Sequence, residues 1–159
     1  LVDELDHVIG RKLRSEATKE KLPNVRVVNA FIVNSKGELW IPRRTLTKRA
    51  FPLHLDFSMG GYVESGEGYD QTFKREMAEE LNIDTSAVPW REIGYLTPKE
   101  GVSSFMKVYE LKMDEAPNYN PEDFTEYFWL TPAAFFDRIK KGDKPKGDLA
   151  KLIERFYKI

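Results

Sequence analysis

The stretch "GGYVESGEGYDQTFKREMAEELNI", Gly60 to Ile83, constrains the fold more tightly than any other part of the chain. Its Phe73, Met77 and Leu81 recur at i, i+4 and i+8, so they share one side of a helix running from about Gly68 to Leu81. Glu76, Glu79 and Glu80 recur at i, i+3 and i+4 and crowd a second side, roughly 100° from the apolar stripe. The acids therefore flank the buried stripe instead of opposing it. Like charges at this spacing cost an isolated helix roughly a few tenths of a kcal/mol per pair. Something positive must offset that repulsion. The glycine pair before the helix and the break at Ser65-Gly66 let the helix turn sharply back onto a sheet.

Strand signals stand on both sides of this helix. "VRVVNAFIVN" (25–34) is apolar and β-branched, as expected of a buried strand, and "SKG" turns it into a second strand, "ELWIPRR". A basic loop covers Thr45 to His54, and a short strand leads into Met59. Further strands are expected at "REIGYLT", "SSFMKVYELK" and "EYFWLT". "TPAAFFDRIKKG" reads as a helix with Thr131 as N-cap, Pro132 in its first turn and Gly142 closing it. "GDLAKLIERFYKI" reads as a last amphipathic helix, and a short polar helix is expected around Ser15 to Lys21. "LVDELDHVIG" alternates around an acidic turn and predicts a small hairpin at the start. A single α/β domain over 1–159, with residues 1–22 as an extension, is the expected organisation.

Composition removes several function classes. The 25 basic and 26 acidic residues nearly cancel, leaving no long-range positive field for nucleic acid or an anionic membrane surface. No apolar run approaches the length of a transmembrane helix, and no signal-peptide pattern opens the sequence. The chain has no cysteine, which excludes disulfides, zinc–thiolate sites, iron–sulfur clusters and cysteine nucleophiles. Cytoplasmic residence is the default expectation. Carboxylates collected on one helix side suit a hard cation, Mg²⁺ or Mn²⁺, and predict metal-assisted phosphoryl chemistry.

At this point the residues resemble a family. Gly61, Glu67, Arg75, Glu76, Met77, Glu79, Glu80 and Ile83 fall where the Nudix box has Gly, Glu, Arg-Glu, an aliphatic, Glu-Glu and an aliphatic. The departure is Asn82, where the pattern has glycine, and Asn is the non-glycine residue that best tolerates the positive φ expected there. The resemblance implies an α/β/α sandwich with a mixed sheet, and hydrolysis of nucleoside diphosphates linked to another group. It implies Glu79 and Glu80 as principal ligands of Mg²⁺, helped by the Gly60 carbonyl, with Glu76 a further ligand or the base and Glu67 completing the site. It further implies that Arg75 orients glutamates by charge-assisted hydrogen bonds.

The likeness continues outside the box. By it, Arg44 is a candidate phosphate-binding residue, with Arg43 facing the opposite side if the strand alternates, and Lys48 and Arg49 following in the basic loop. Asp123, six residues before Trp129, is the candidate extra metal contact, with Glu122 and Glu126 as alternatives. The N-terminal hairpin and "RVVNAFIVNSKGEL" also resemble the branch containing isopentenyl-diphosphate isomerase, yet the isomerase cysteine is absent and the histidines are reduced to His7 and His54. Hydrolase chemistry on an isomerase-like outline is the expectation. Pro98, 15 residues after Ile83, keeps an ADP-ribose-hydrolysing alternative open, and a non-catalytic nucleotide-binding module is a third reading. Phe51, Tyr62 and Phe105 are candidates for base stacking, and the hairpin edge for pairing in a homodimer.

Overall fold

The strand β1, Arg26–Val33, explains the layering. Val28, Ala30 and Ile32 enter one apolar cluster, while Phe31 and Val33 enter another on the opposite face. Both faces are covered, which is why the run is continuously apolar instead of alternating. The structure, a computed structural model, describes residues 1–157. Its sheet also contains β2 (Leu39–Arg44), β3 (Met59–Tyr62), β4 (Trp90–Leu96), β5 (Phe105–Lys112) and β6 (Phe124–Leu130). The order is β4-β5-β1-β2-β6, with β3 also on β1, and the β1–β5 pair is parallel whereas the others are antiparallel.

The described residues also form four α-helices: α1 (Arg14–Lys19), α2 (Tyr69–Leu81), α3 (Pro132–Lys140) and α4 (Leu149–Phe156). α2 covers one face of the sheet. Its Phe73, Met77 and Leu81 are each fully buried, and Phe73 stacks on Tyr109 at 4.2 Å between ring centroids. Burial of each such side chain is worth about 1.5–3 kcal/mol. α3 and α4 cover the other face through Phe135, Leu149, Leu152 and Ile153. The outcome is the expected α/β/α sandwich with a mixed sheet. No helix among the described residues is long and apolar enough to cross a membrane.

One edge of β1 is shared. β3 pairs along Val27–Ala30, and β2 reaches β1 only at Val33 opposite Leu39. Between the two partners, the Ser58 hydroxyl accepts from the Ile32 N–H at 2.9 Å and donates to the Trp40 carbonyl at 2.7 Å. This buried serine satisfies the backbone groups that the parting strands leave open.

Local details modify the sequence reading. Gly60 and Gly61 do not make a sharp bend; they lie inside strand β3, and Gly66, at φ 87°, supplies the turn toward α2. α1 ends at Lys19, because the chain reverses through Lys21 at φ 53° and the Leu22 N–H bonds back to the Ala17 carbonyl. α4 ends at Phe156, and Lys158 and Ile159 of the expected last helix lie outside the described residues. The N-terminal hairpin is present, as a Val2–Val8 bridge around a turn from Asp3 to Asp6. Thr131 caps α3 by accepting from the Ala134 N–H.

Candidate active site

α2 presents its carboxylates along two flanks, and Arg75 organises the first. Its Nε and Nη2 grip Glu67 in a two-pronged contact at 2.8 and 2.9 Å. Its Nη1 reaches Glu76 at 2.9 Å and Glu79 at 3.2 Å. The Thr72 hydroxyl and the Glu64 N–H add further donors to Glu67. The Arg75 guanidinium, desolvation notwithstanding, holds the Glu67 carboxyl far down, at about 2, so it is a permanent anion. The same contact with Glu67 raises the affinity of Arg75 for its own proton. Arg75 is thus consumed by acids of its own chain.

The second flank belongs to Glu80. Burial first, and then the neighbouring carboxylates of Glu76, Asp56 and Asp123, push its carboxyl well above the usual range. Asp56 is only 4% exposed, and accepts from Arg44 Nη1 at 2.8 Å with Lys146 Nζ 3.7 Å away. Asp123 is held by Lys48 at 2.7 Å. The loop carrying Asp123 is tied to the end of α2: Asn120 Nδ2 donates to the Glu79 carbonyl at 2.6 Å, and Asn82 Nδ2 to the Asn118 carbonyl at 2.5 Å. Asn82, at φ 54°, closes the helix in the conformation expected of it.

Gly61 earns its place through Glu76. A Cβ built on Gly61 would stand 2.7 Å from the Glu76 carboxyl carbon and 2.9 Å from its Oε1. Only a glycine lets that carboxylate lie flat on β3. Gly60 is bounded by Asn29 Oδ1, at 3.0 Å from a built Cβ. Its backbone runs alongside Gly61 on the strand facing α2.

The structure does not gather all the sequence candidates. Glu67, Arg75, Glu76 and Glu79 form one network, and Glu76, Glu80 and Asp123 form a second crowd with Arg44 and Lys48 at its border through their acidic partners. Glu76 belongs to both. Glu79 and Glu80 are adjacent in sequence but go to different flanks, Glu79 with its side chain 61% exposed. Arg43 stands apart. It points to the opposite side of β2, grips Asp143 through two nitrogens at 2.9 and 3.0 Å, and bonds Glu126 at 2.7 Å and the Leu53 carbonyl at 3.0 Å. Glu126 is thereby engaged away from Glu80. Asp56 and Lys146 were invisible to sequence reasoning; the only local signal was an acid between the apolar residues of "HLDFSM".

The donor chemistry fits a hard divalent cation. Among the described residues, no group of three or more His, Asp or Glu side chains already stands in closed metal-holding geometry. The available donors are nevertheless carboxylates alone, without sulfur or imidazole, as Mg²⁺ and Mn²⁺ prefer. Burial and then the like charges around Glu80 disfavour its ionised form, and a cation beside it would relieve that repulsion.

Comparison with known proteins identifies the family. Residues 23–153 match the model of the NUDIX domain. A Nudix hydrolase of Nostoc sp. is 55% identical over 158 residues, covering 99% of this chain and 94% of the relative. The crystal structure of DR0079 from Deinococcus radiodurans superposes with a TM-score of 0.93 at 48% identity, covering 99% of this chain and 98% of that one. A more distant likeness, 28% identical over 139 residues, covers 83% of this chain and 76% of an isopentenyl-diphosphate Delta-isomerase of Kocuria rhizophila. The chain belongs to the Nudix hydrolase family, enzymes that act on phosphorus-containing anhydrides.

Proposed function

We propose that this chain is a metal-dependent pyrophosphohydrolase that cleaves a nucleoside di- or triphosphate, or a nucleoside diphosphate linked to another group, to a nucleoside monophosphate. One observation carries the reading: Glu76, Glu80, Asp56 and Asp123 crowd a single corner whose border carries Arg44 and Lys48. An acid cluster edged by bases is what a cation and a polyphosphate together require.

Glu76, Glu79, Glu80 and Asp123, with the Gly60 carbonyl, would hold Mg²⁺ or Mn²⁺. When bound, such an ion neutralises the diphosphate and makes water more acidic. Arg44 exchanges part of its contact with Asp56 for a phosphate oxygen, for which its planar fork is suited. Arg75 keeps Glu67 ionised and Glu76 in place, so the two carboxylates meet the substrate already oriented. The water oxygen bonds to phosphorus while the bond to the bridging oxygen breaks. The proton lost from water passes to Glu76, and the nucleoside monophosphate departs with the bridging or the new oxygen according to which phosphorus is attacked. Arg43 has no part in this, being saturated by Asp143 and Glu126.

No structural observation favours the ADP-ribose alternative. Pro98 opens a short 3-10 turn, Pro98–Glu100, capped by Thr97, which accounts for a proline at that position. The reading is tested with a nucleotide panel and Mg²⁺ in oxygen-18 water, for wild type and for Glu79→Gln and Glu80→Gln. Product carrying the label, with turnover lost in the variants, is expected. Full turnover in both variants would refute the site.

A further inference from the structure

Residues 1–22 lie outside the segment that matches the family domain, yet they wall a cavity beside it. The cavity, about 370 Å³, lies between the N-terminal hairpin with α1 and the loop that leads into α2. Val8, Leu13 and Ala17 line it from the extension, and Tyr62 and Val63 from the end of β3. The lining also includes Glu67 and Glu76, two of the carboxylates that Arg75 holds. Its volume lies within the range of about 300–1,000 Å³ usual for small-molecule sites, and its lining mixes apolar residues with the charged Arg11, Lys12, Arg26, Glu64, Glu67 and Glu76.

The wall is fastened. Asp6, at φ 63° in the hairpin turn, accepts from Arg26 Nε at 2.7 Å through one oxygen. Through the other it accepts from the Tyr69 hydroxyl at 2.7 Å and the Tyr95 hydroxyl at 3.0 Å. One carboxylate thus ties the extension to β1, to the first turn of α2 and to β4. A cavity held by such a clamp is preformed, and binding it costs little ordering.

We propose that this cavity receives the nucleoside, base and ribose, of the substrate whose phosphates lie at Glu76 and Glu80, so that the N-terminal extension selects the base. The proposal rests on the hydrolase reading for the position of the phosphates. The apolar members of the lining, Val8, Leu13, Ala17 and Val63, suit the faces of a heterocycle. Continuity with Glu76 places its attached phosphate at the acidic corner. Val8 and Leu13 remain 70% and 67% exposed, side chains that a bound base would cover.

The test is a methyl NMR titration of the protein with nucleoside monophosphates in the presence of Mg²⁺. Saturating shifts at the Leu13, Ala17 and Val63 methyls are expected for at least one base, and Leu13→Trp and Val8→Trp should each weaken that binding about tenfold by filling the mouth. Both positions are exposed, and the same spectra report whether the variants are folded. Leu46→Trp, in the loop before Asp56, should leave the affinity unchanged. Absent shifts, or shifts confined to Leu46 and Leu53, would overturn the proposal. Binding here needs no turnover. Labelled product from the nucleotide panel without cavity shifts would leave the hydrolase reading standing and the cavity assignment refuted; cavity shifts without hydrolysis would do the reverse.

Discussion

On the α3 side of the sheet, Arg43 meets Asp143 and Glu126, with Arg138 3.6 Å from Asp143 and lying over the Phe128 ring. On the α2 side, its neighbour Arg44 meets Asp56 within a crowd that also holds Glu76, Glu80 and Asp123. The first set pairs its charges and satisfies its donors. The second set leaves Glu80 facing other acids, at an energetic cost the fold tolerates. Ion pairs that are complete hold a protein together, whereas an acid crowded by other carboxylates, as Glu80 is, is poised for something added. One residue along a strand separates the two, because alternate side chains face opposite ways.

The contrast can be broken by exchanging the effects of mutations. Glu80→Gln removes one of the crowded acids while keeping its shape; kcat/KM with Mg²⁺ should fall roughly 10³-fold. Its melting temperature without metal should hold or rise, since repulsion is removed. A fall in melting temperature with activity kept would erase the distinction between the regions. Gly61→Ala must displace the Glu76 carboxylate lying 2.7 Å from the new methyl position. A shift of about an ångström in a positioned group can cost on the order of 10² in rate, and kcat should bear that loss more than KM.

Asp143→Ala should do the opposite of Glu80→Gln. It removes the two-pronged partner of Arg43, whose side chain is 17% exposed, and should cost about 2–3 kcal/mol in denaturant unfolding while leaving kcat/KM near wild type. Arg44→Lys sharpens the comparison most finely. Losing the planar fork should raise KM about tenfold for a diphosphate substrate, whereas Arg43→Lys should lower stability and leave KM alone. Equal KM changes in the two lysine variants would place both arginines in one role.

Which parts of this were legible in the sequence follows from distance along the chain. The stripe Phe73, Met77, Leu81, the cap at Asn82 and the cap at Thr131 depend on neighbours within a turn or two, and the structure has them as expected. The opposed directions of Arg43 and Arg44 follow from strand alternation alone. Asp56 and Lys146 are another matter. They meet because Leu55 bridges both Arg43 and Pro145, a pairing between segments 90 residues apart that no local pattern encodes. A glycine pair suggests a bend on conformational grounds, but Gly61 is required by the space that Glu76 fills, in an ordinary extended strand. The division of Glu79 from Glu80 likewise depends on where Arg75 and the Asn120 loop sit in three dimensions.

The central claim, that the crowded corner exists to hold a divalent cation, is tested most directly by Mn²⁺ titration followed by electron paramagnetic resonance. Wild type and Asp143→Ala should take up the ion alike, with Glu80→Gln binding at least about tenfold more weakly. Equal uptake by Glu80→Gln and wild type, or none by any of the three, would contradict it.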